Sequence, residues 1–221
     1  FILLAAGKGK RFKGNKEKQF ISYKNKPLYQ HSLDTALKSK LFKEIILVTN
    51  IKIRNFINKQ IKIVKGGKER HQSTLNALEY IKKKNYKNVF IHDAARPNLS
   101  LGLLKRLKKE LKKSNAVVPY IKSENSVKLK SNNKVKNLDR EKILLTQTPQ
   151  CFNFKELYNI SKSNKRKITD EASLLIENGK KIKFINGDKQ NIKITTVEDL
   201  RYINTISNYG IGFDIHRLEK G

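Results

Sequence analysis

The chain has 221 residues, 38% of them hydrophobic, and a formal net charge of +30 at pH 7. That length fits one ample domain with a small appendage, and the apolar residues come in runs, which excludes a disordered basic tail. The single cysteine, Cys151, excludes an internal disulfide framework and a cysteine metal cluster, and no run approaches the ~20 apolar residues of a membrane span.

The charge excess is nearly all lysine, spread along the chain among abundant Asn and Ile, whereas arginine is scarce. Arginine makes the bidentate contacts to phosphates and bases, so compositional drift explains the charge better than a nucleic-acid footprint. The apolar opening Phe1–Leu4 lacks the charged leader of a signal peptide and breaks at Gly7. With no initiating Met, a residue or two is expected ahead of it, and a cytoplasmic enzyme is the natural expectation.

Short β-type runs alternate with amphipathic helical patterns, which predicts an α/β fold with a mainly parallel sheet flanked by helices. The first strand, 1–4, runs into Ala5-Ala6-Gly7-Lys8-Gly9-Lys10-Arg11-Phe12, followed by Lys18-Gln19. Small residues and close glycines let backbone N–H groups approach a phosphate chain. Phe12 stands where a dinucleotide fingerprint needs Gly, and no Gly-Lys-Ser/Thr closes a Walker A loop. The remaining Gly-x-Gly-x-Arg pattern suits a nucleoside triphosphate. Arg11 and Lys18 would place positive charge where an α-phosphate and leaving pyrophosphate gather negative charge.

A helix is predicted over 28–38, then strands over 44–49 and 62–64. Gly66-Gly67-Lys68-Glu69-Arg70-His71-Gln72-Ser73 leads into a helix over 72–83. The glycines permit close approach of a base and Ser73 can hydrogen-bond it, although a plain turn and cap explains them equally well. Strand 88–92 delivers His92-Asp93-Ala94-Ala95-Arg96-Pro97 to a C-terminal strand end, where open parallel sheets bind ligands. Asp93 suits a ribose hydroxyl or a metal-bound phosphate and Arg96 an anionic substrate, against the alternative of a loop-stabilising pair. His92 reads as a packing residue.

Ser100 is positioned to cap a helix bearing Leu104, Leu107 and Leu111 on one face, before a strand over 116–119. From Ile121 to Leu145 the chain turns polar, with Val127, Leu129 and Val135 alternating, which predicts a β-hairpin arm turning near Asn132-Asn133. So little apolar content calls for a second subunit. Thr146 to Gln150 and Thr169 to Ala172 read as turns or helix caps. Strands are predicted over 181–185 and 191–194; Lys193 on the latter points to solvent or to an anion. Thr195 with Glu198 forms a capping-box pattern for a final helix through Leu200 and Ile203.

In order and spacing, Ala5-Ala6-Gly7-x-Gly9-x-Arg11, Lys18-Gln19, Gly66-Gly67-x-x-Arg70, His92 to Pro97, Asp139-Arg140, Thr148-Pro149-Gln150, Thr169 to Ala172 and Asn191-Ile192-Lys193 resemble the 2-C-methyl-D-erythritol 4-phosphate cytidylyltransferases of non-mevalonate isoprenoid biosynthesis. The resemblance covers 3–208. It implies a Rossmann-like nucleotidyltransferase fold and a homodimer joined by arms at about 122–144. It also implies transfer of CMP from CTP to methylerythritol phosphate with Mg²⁺, the substrate's own phosphate acting as nucleophile. By the same resemblance Arg11 and Lys18 stabilise the α-phosphate, and Arg140 and Lys193 position the substrate phosphate beside Asp93, Arg96, Ser126 and Thr148. Ala5, Ala6, Gly7, Gly9, Gly67, Ser73, Asp93 and Ala94 would surround CTP. Glu17, Lys68 and Asn125 depart from the family's usual residues.

Tyr209 to Arg217 resembles the opening strand of the cyclodiphosphate synthases of the same pathway, so 209–221 is expected to begin a second, truncated domain. Asp214 and His216 share one strand face there as two ligands of an incomplete zinc site. The rival readings are a ribitol-5-phosphate or other pentitol-phosphate cytidylyltransferase and a basic nucleic-acid-binding protein.

Overall fold

The computed structural model describes residues 1–7, 12, 18–51, 53, 58, 60–132, 134–164, 166 and 168–205. Gly9, Arg11, Asp214 and His216 therefore lie outside the described residues, and Lys18 is described by its backbone alone.

In chain order, β1 (Ile2–Leu4) is followed by a small hairpin of β2 (Ser22–Tyr23) and β3 (Lys26–Pro27), then α1 (Leu28–Ser39), β4 (Ile45–Thr49) and β5 (Ile61–Lys65). Next come α2 (Arg70–Ile81), β6 (Asn88–Asp93), α3 (Leu101–Glu110) and β7 (Ala116–Lys122). The arm consists of β8 (Val127–Ser131) and β9 (Lys134–Leu138). The chain then forms β10 (Leu144–Thr146), β11 (Gln150–Asn153), α4 (Phe154–Ser163), α5 (Glu171–Glu177), β12 (Lys183–Asn186) and α6 (Val197–Thr205).

The main sheet has eight strands. β1 lies inside it, parallel to both β4 and β6, and β5 pairs in parallel with β4. β11 runs antiparallel between β6 and β7, β10 continues antiparallel along β7, and β12 pairs in parallel with β7. The expected mainly parallel sheet flanked by helices is thus present. β1, β4, β5 and β6 all end at one edge, and the motifs that follow β1, β5 and β6 are delivered there.

Side-chain alternation explains the layers. In β4, Ile45 and Leu47 face one core with Leu33 of α1 and Leu103, Leu104 and Leu107 of α3. Ile46 and Val48 face the other, with Leu78 of α2, Leu157 of α4 and Leu175 of α5. A strand covered on both faces must read as a continuous apolar run, as Ile45–Val48 does. A third cluster of Tyr23, Leu28, Ile194 and Ile203 seats α6 against the start of α1.

Local caps set the helix starts. The Ser100 hydroxyl accepts from Leu103 N as expected, and Asn153 and Asp170 do the same for Glu156 N and Ser173 N at α4 and α5. At α6 the reciprocal box is Thr196 with Asp199, one residue later than the expected Thr195 and Glu198. Asp199 N donates to Thr196 Oγ1 at 3.3 Å and Thr196 N to Asp199 Oδ2 at 2.9 Å.

The strand expected over 191–194 does not form. Its backbone bonds to loops instead of a ladder: Ile194 N donates to Ala95 O at 2.8 Å, and Asn191 O accepts from Arg96 Nη1 at 2.7 Å. The hairpin expected near Asn132 does form, as a two-stranded sheet of its own with Val127 opposite Leu138 and Ser131 opposite Lys134. Asn132 takes a positive φ of 49° at the turn, a conformation Asn tolerates. Leu129 and Val135 remain 50% and 65% exposed. Among the described residues no helix is long and apolar enough to cross a membrane.

Candidate active site

The site is built at the shared strand edge. Beyond β1, Ala5 and Ala6 are buried, and Ala5 N continues the parallel pairing by donating to Val48 O at 2.8 Å. The Gln19 amide donates to Ala5 O at 2.9 Å and to Gly7 O at 3.1 Å. A short 3-10 turn, Lys18–Phe20, is thereby tied to the start of the glycine loop. This gives Gln19 a structural task in the Lys18-Gln19 motif.

After β5 the chain passes close to that loop. A Cβ on Gly66 would lie 2.1 Å from Ala6 Cβ, and one on Gly67 would lie 2.1 Å from Gln72 Cγ. Side chains cannot be accommodated at those distances, so both positions require glycine for space. The Ser73 hydroxyl accepts from Gly67 N at 3.0 Å and donates to Glu69 O at 3.1 Å. Its observed work is to shape the turn.

Asp93, the last residue of β6, is 8% exposed. Its Oδ1 accepts from Arg70 Nε at 3.1 Å and its Oδ2 from Lys193 Nζ at 2.6 Å. Burial alone would raise its pKa, but Arg70 and Lys193 override that and hold the carboxyl well below the usual carboxylate range. Asp93 N donates to Thr148 Oγ1 at 3.1 Å, and Thr148 Oγ1 lies 2.9 Å from His92 Nδ1. His92 Nε2 lies 3.0 Å from Arg96 O, an acceptor, so Nε2 carries the proton and Thr148 donates to Nδ1. Burial lowers the His92 pKa to about 4, which keeps this neutral tautomer in place. His92 is structural, as its position in the sequence suggested.

Arg96 works mainly as a brace. Its Nη1 donates to Asn191 O at 2.7 Å and its Nη2 to Thr146 O at 3.4 Å, while Nε is buried without a partner. Asn191 Nδ2 donates to Thr148 O at 2.7 Å, and Gln147 Nε2 to Asp188 O at 2.9 Å. These bonds fix the segment that carries Lys193, with its amine turned inward to Asp93. Ala94 is buried and its N donates to Leu4 O at 3.0 Å.

Arg140 and Ser126 lie apart from this cluster, on or beside the arm. Ser126 is exposed, and Arg140 Nη1 donates to Glu124 O at 2.9 Å. The Arg140 guanidinium meets Glu124 and Glu141, both in the arm region.

Residues 1–208 match the protein family described as "IspD: 2-C-methyl-D-erythritol 4-phosphate cytidylyltransferase". The chain belongs to this family. It is 50% identical over 222 residues to the "Bifunctional enzyme IspD/IspF" of Pelagibacter ubique, a match covering 99% of this chain and 60% of that protein. It is 35% identical to the 2-C-methyl-D-erythritol 4-phosphate cytidylyltransferase of Clostridium botulinum, covering 90% of this chain and 93% of the relative. The crystal structure of the Francisella tularensis enzyme of that name superposes with a TM-score of 0.80 at 33% identity, covering 92% of this chain and 97% of that one.

Two members of this cluster, Arg70 and Glu171, have no role assigned by the sequence pattern. Arg70 joins Asp93 to Glu171: its Nη1 donates to both Glu171 oxygens at 2.7 Å. Burial opposes the Arg70 charge, but Glu171 and Asp93 more than compensate and raise its pKa. The signal for Glu171 was its place in Thr169 to Ala172, which as sequence looks like an ordinary helix start. Among the described residues no group of three His, Cys, Asp or Glu side chains is arranged to hold a metal ion, and both Asp93 oxygens are bonded to cations.

Proposed function

We propose that this domain transfers a cytidylyl group from CTP to 2-C-methyl-D-erythritol 4-phosphate and releases pyrophosphate. The observation that carries this reading is the Lys193–Asp93–Arg70 array at the end of β6, in a chain of the cytidylyltransferase family. A phosphate oxygen of the acceptor attacks the α-phosphorus of CTP, the bond to the β-phosphate breaks, and the pyrophosphate carries away the displaced electron pair. No side chain need form a covalent bond, so the protein contributes positioning and charge.

Lys193 supplies the fixed cation for the acceptor phosphate, held in place by Asp93 until the phosphate arrives. Thr148 and Arg96 hold Asp93 and the Lys193 segment, while Arg140 and Ser126 reach the acceptor from an arm, in a homodimer, from the partner subunit. Arg11 and Lys18 face the α-phosphate. The loop Ala5, Ala6, Gly7 and Gly9, with Gly67, Ser73 and Ala94, surrounds the nucleotide. Mg²⁺ fits as a cation carried mainly by the triphosphate oxygens, since Asp93 is already committed, and it would offset charge on the leaving group.

The segment 209–221 lies beyond the family match, and we propose it as the entry to a cyclodiphosphate synthase domain, in which Asp214 and His216 would be two zinc ligands. The reaction is placed in the cytoplasm, with no specific nucleic-acid partner. A pyrophosphate-release assay with CTP or UTP, and methylerythritol phosphate or ribitol 5-phosphate, tests the reading. Turnover is expected with CTP and methylerythritol phosphate; turnover with ribitol 5-phosphate but none with methylerythritol phosphate would overturn it.

A further inference from the structure

Glu171 is 0% exposed, yet it lies at the first turn of α5, far in sequence from the β6 edge. Three bonds reach its carboxylate: Arg70 Nη1 to Oε1 and to Oε2, and Thr74 Oγ1 to Oε1, each at 2.7 Å. Arg70 then has Nε for Asp93 Oδ1, and Asp93 Oδ2 is left to Lys193. The four groups form an alternating line of charges, Glu171–Arg70–Asp93–Lys193.

We propose that Glu171 is a positioning residue for the acceptor-phosphate site, acting through Arg70 on Asp93 and Lys193. The proposal rests on the assignment of Asp93 and Lys193 to that site. A guanidinium is planar and rigid, so fixing one nitrogen aims the others. Glu171 holds Nη1 with both of its oxygens, which aims Nε at Asp93 Oδ1, while Nη2 stays buried with no hydrogen-bond partner. Without that anchor Arg70 would be free to shift against Asp93. With it, Asp93 Oδ2 stays available, and Lys193 is ordered before substrate arrives. A pair whose role was only to fasten α5 to α2 would not need its guanidinium shared with Asp93.

Glu171→Gln keeps the size and an acceptor for Thr74 but removes the charge. KM for methylerythritol phosphate is expected to rise about tenfold, the scale of one displaced charge-assisted hydrogen bond, while KM for CTP stays within about twofold. In an Asp93→Asn background the same substitution should add less than about twofold to the loss in kcat/KM, because the group through which it acts is gone. Arg70→Lys, whose ammonium cannot span two carboxylates, should give the same acceptor-selective effect.

Equal KM changes for both substrates, or full additivity with Asp93→Asn, would overturn the proposal. Unfolding of both single variants, followed by thermal melts, would assign the pair to stability alone and overturn it as well. A wild type inactive on methylerythritol phosphate would reject the functional reading and this inference together. An active wild type with additive variants would reject only the inference.

Discussion

Asp93 and Lys193, separated by 100 residues in the chain, meet at 2.6 Å. The lysine side chain keeps 37% of its surface and the aspartate 11%, so the cation is fixed at the rim with its far side open. On the proposed reading, that open side receives the acceptor phosphate. Lys193→Met keeps most of the aliphatic stem and removes the charge. Turnover is expected to fall by about 10²-fold or more, the usual scale for an electrostatic stabiliser, with a cooperative melt retained. Normal turnover in pyrophosphate release would remove Lys193 from the mechanism.

The layered α/β fold was legible because β4 and β6 carry the apolar runs Ile45–Val48 and Val89–Ile91, and α1 and α3 carry clean helical stripes. Less of β10, β11, α4 and α5 was legible. Thr146 to Gln150 contains polar residues that are buried where Gln147, Thr148 and Gln150 bond to groups distant in sequence: the Asp188 carbonyl, His92 of β6 and Asp170. The pairing of Asp93 with Lys193 depends on the same long-range bonds. Local pattern placed Lys193 on a strand, whereas Arg96 holds that segment as a loop by its carbonyl at Asn191. Glu171 gave no signal of burial, since an acidic residue in the first turn of a helix is ordinarily a solvated partner of the helix dipole.

Arg11→Ala and Lys18→Ala test the glycine loop directly. Each is expected to lower kcat by about 10²-fold or more if, as proposed, its charge acts on the pentavalent α-phosphate. Single-turnover measurement with saturating CTP separates this from weaker nucleotide binding. A change confined to the KM for CTP would show that the residue binds the ground state and transition state equally.

His92 predicts a stability that depends on pH. Its folded pKa is lowered by burial from 6.5 to about 4, while the unfolded chain keeps the ordinary value. The contribution is therefore fully present above about pH 6.5 and is lost as pH falls toward 4, because the unfolded state binds the proton first. The loss across that window is on the order of 3 kcal/mol. Urea melts between pH 7.5 and 4 should show this slope in the wild type and a shallower one in His92→Gln. An equal slope in both proteins would place the titration elsewhere.

Gly66 and Ala6 predict a repairable clash between the Gly66-Gly67 turn and the N-terminal loop. Gly66 has no left-handed backbone conformation, so its requirement is space: an added Cβ would lie 2.1 Å from Ala6 Cβ and 3.3 Å from the Asn50 amide. Ala6 is itself buried on the main sheet's second core and cannot swing aside as a long side chain would. Gly66→Ala should cost about 1–3 kcal/mol, the range for overpacking, and should raise the KM for CTP by moving the loop. Adding Ala6→Gly removes the opposing methyl and should recover most of both losses. The two substitutions should thus be strongly non-additive in a double-mutant cycle read by urea melts and by KM. Additive losses would mean that the turn and the loop do not bear on each other, and that Gly66 is needed for another reason.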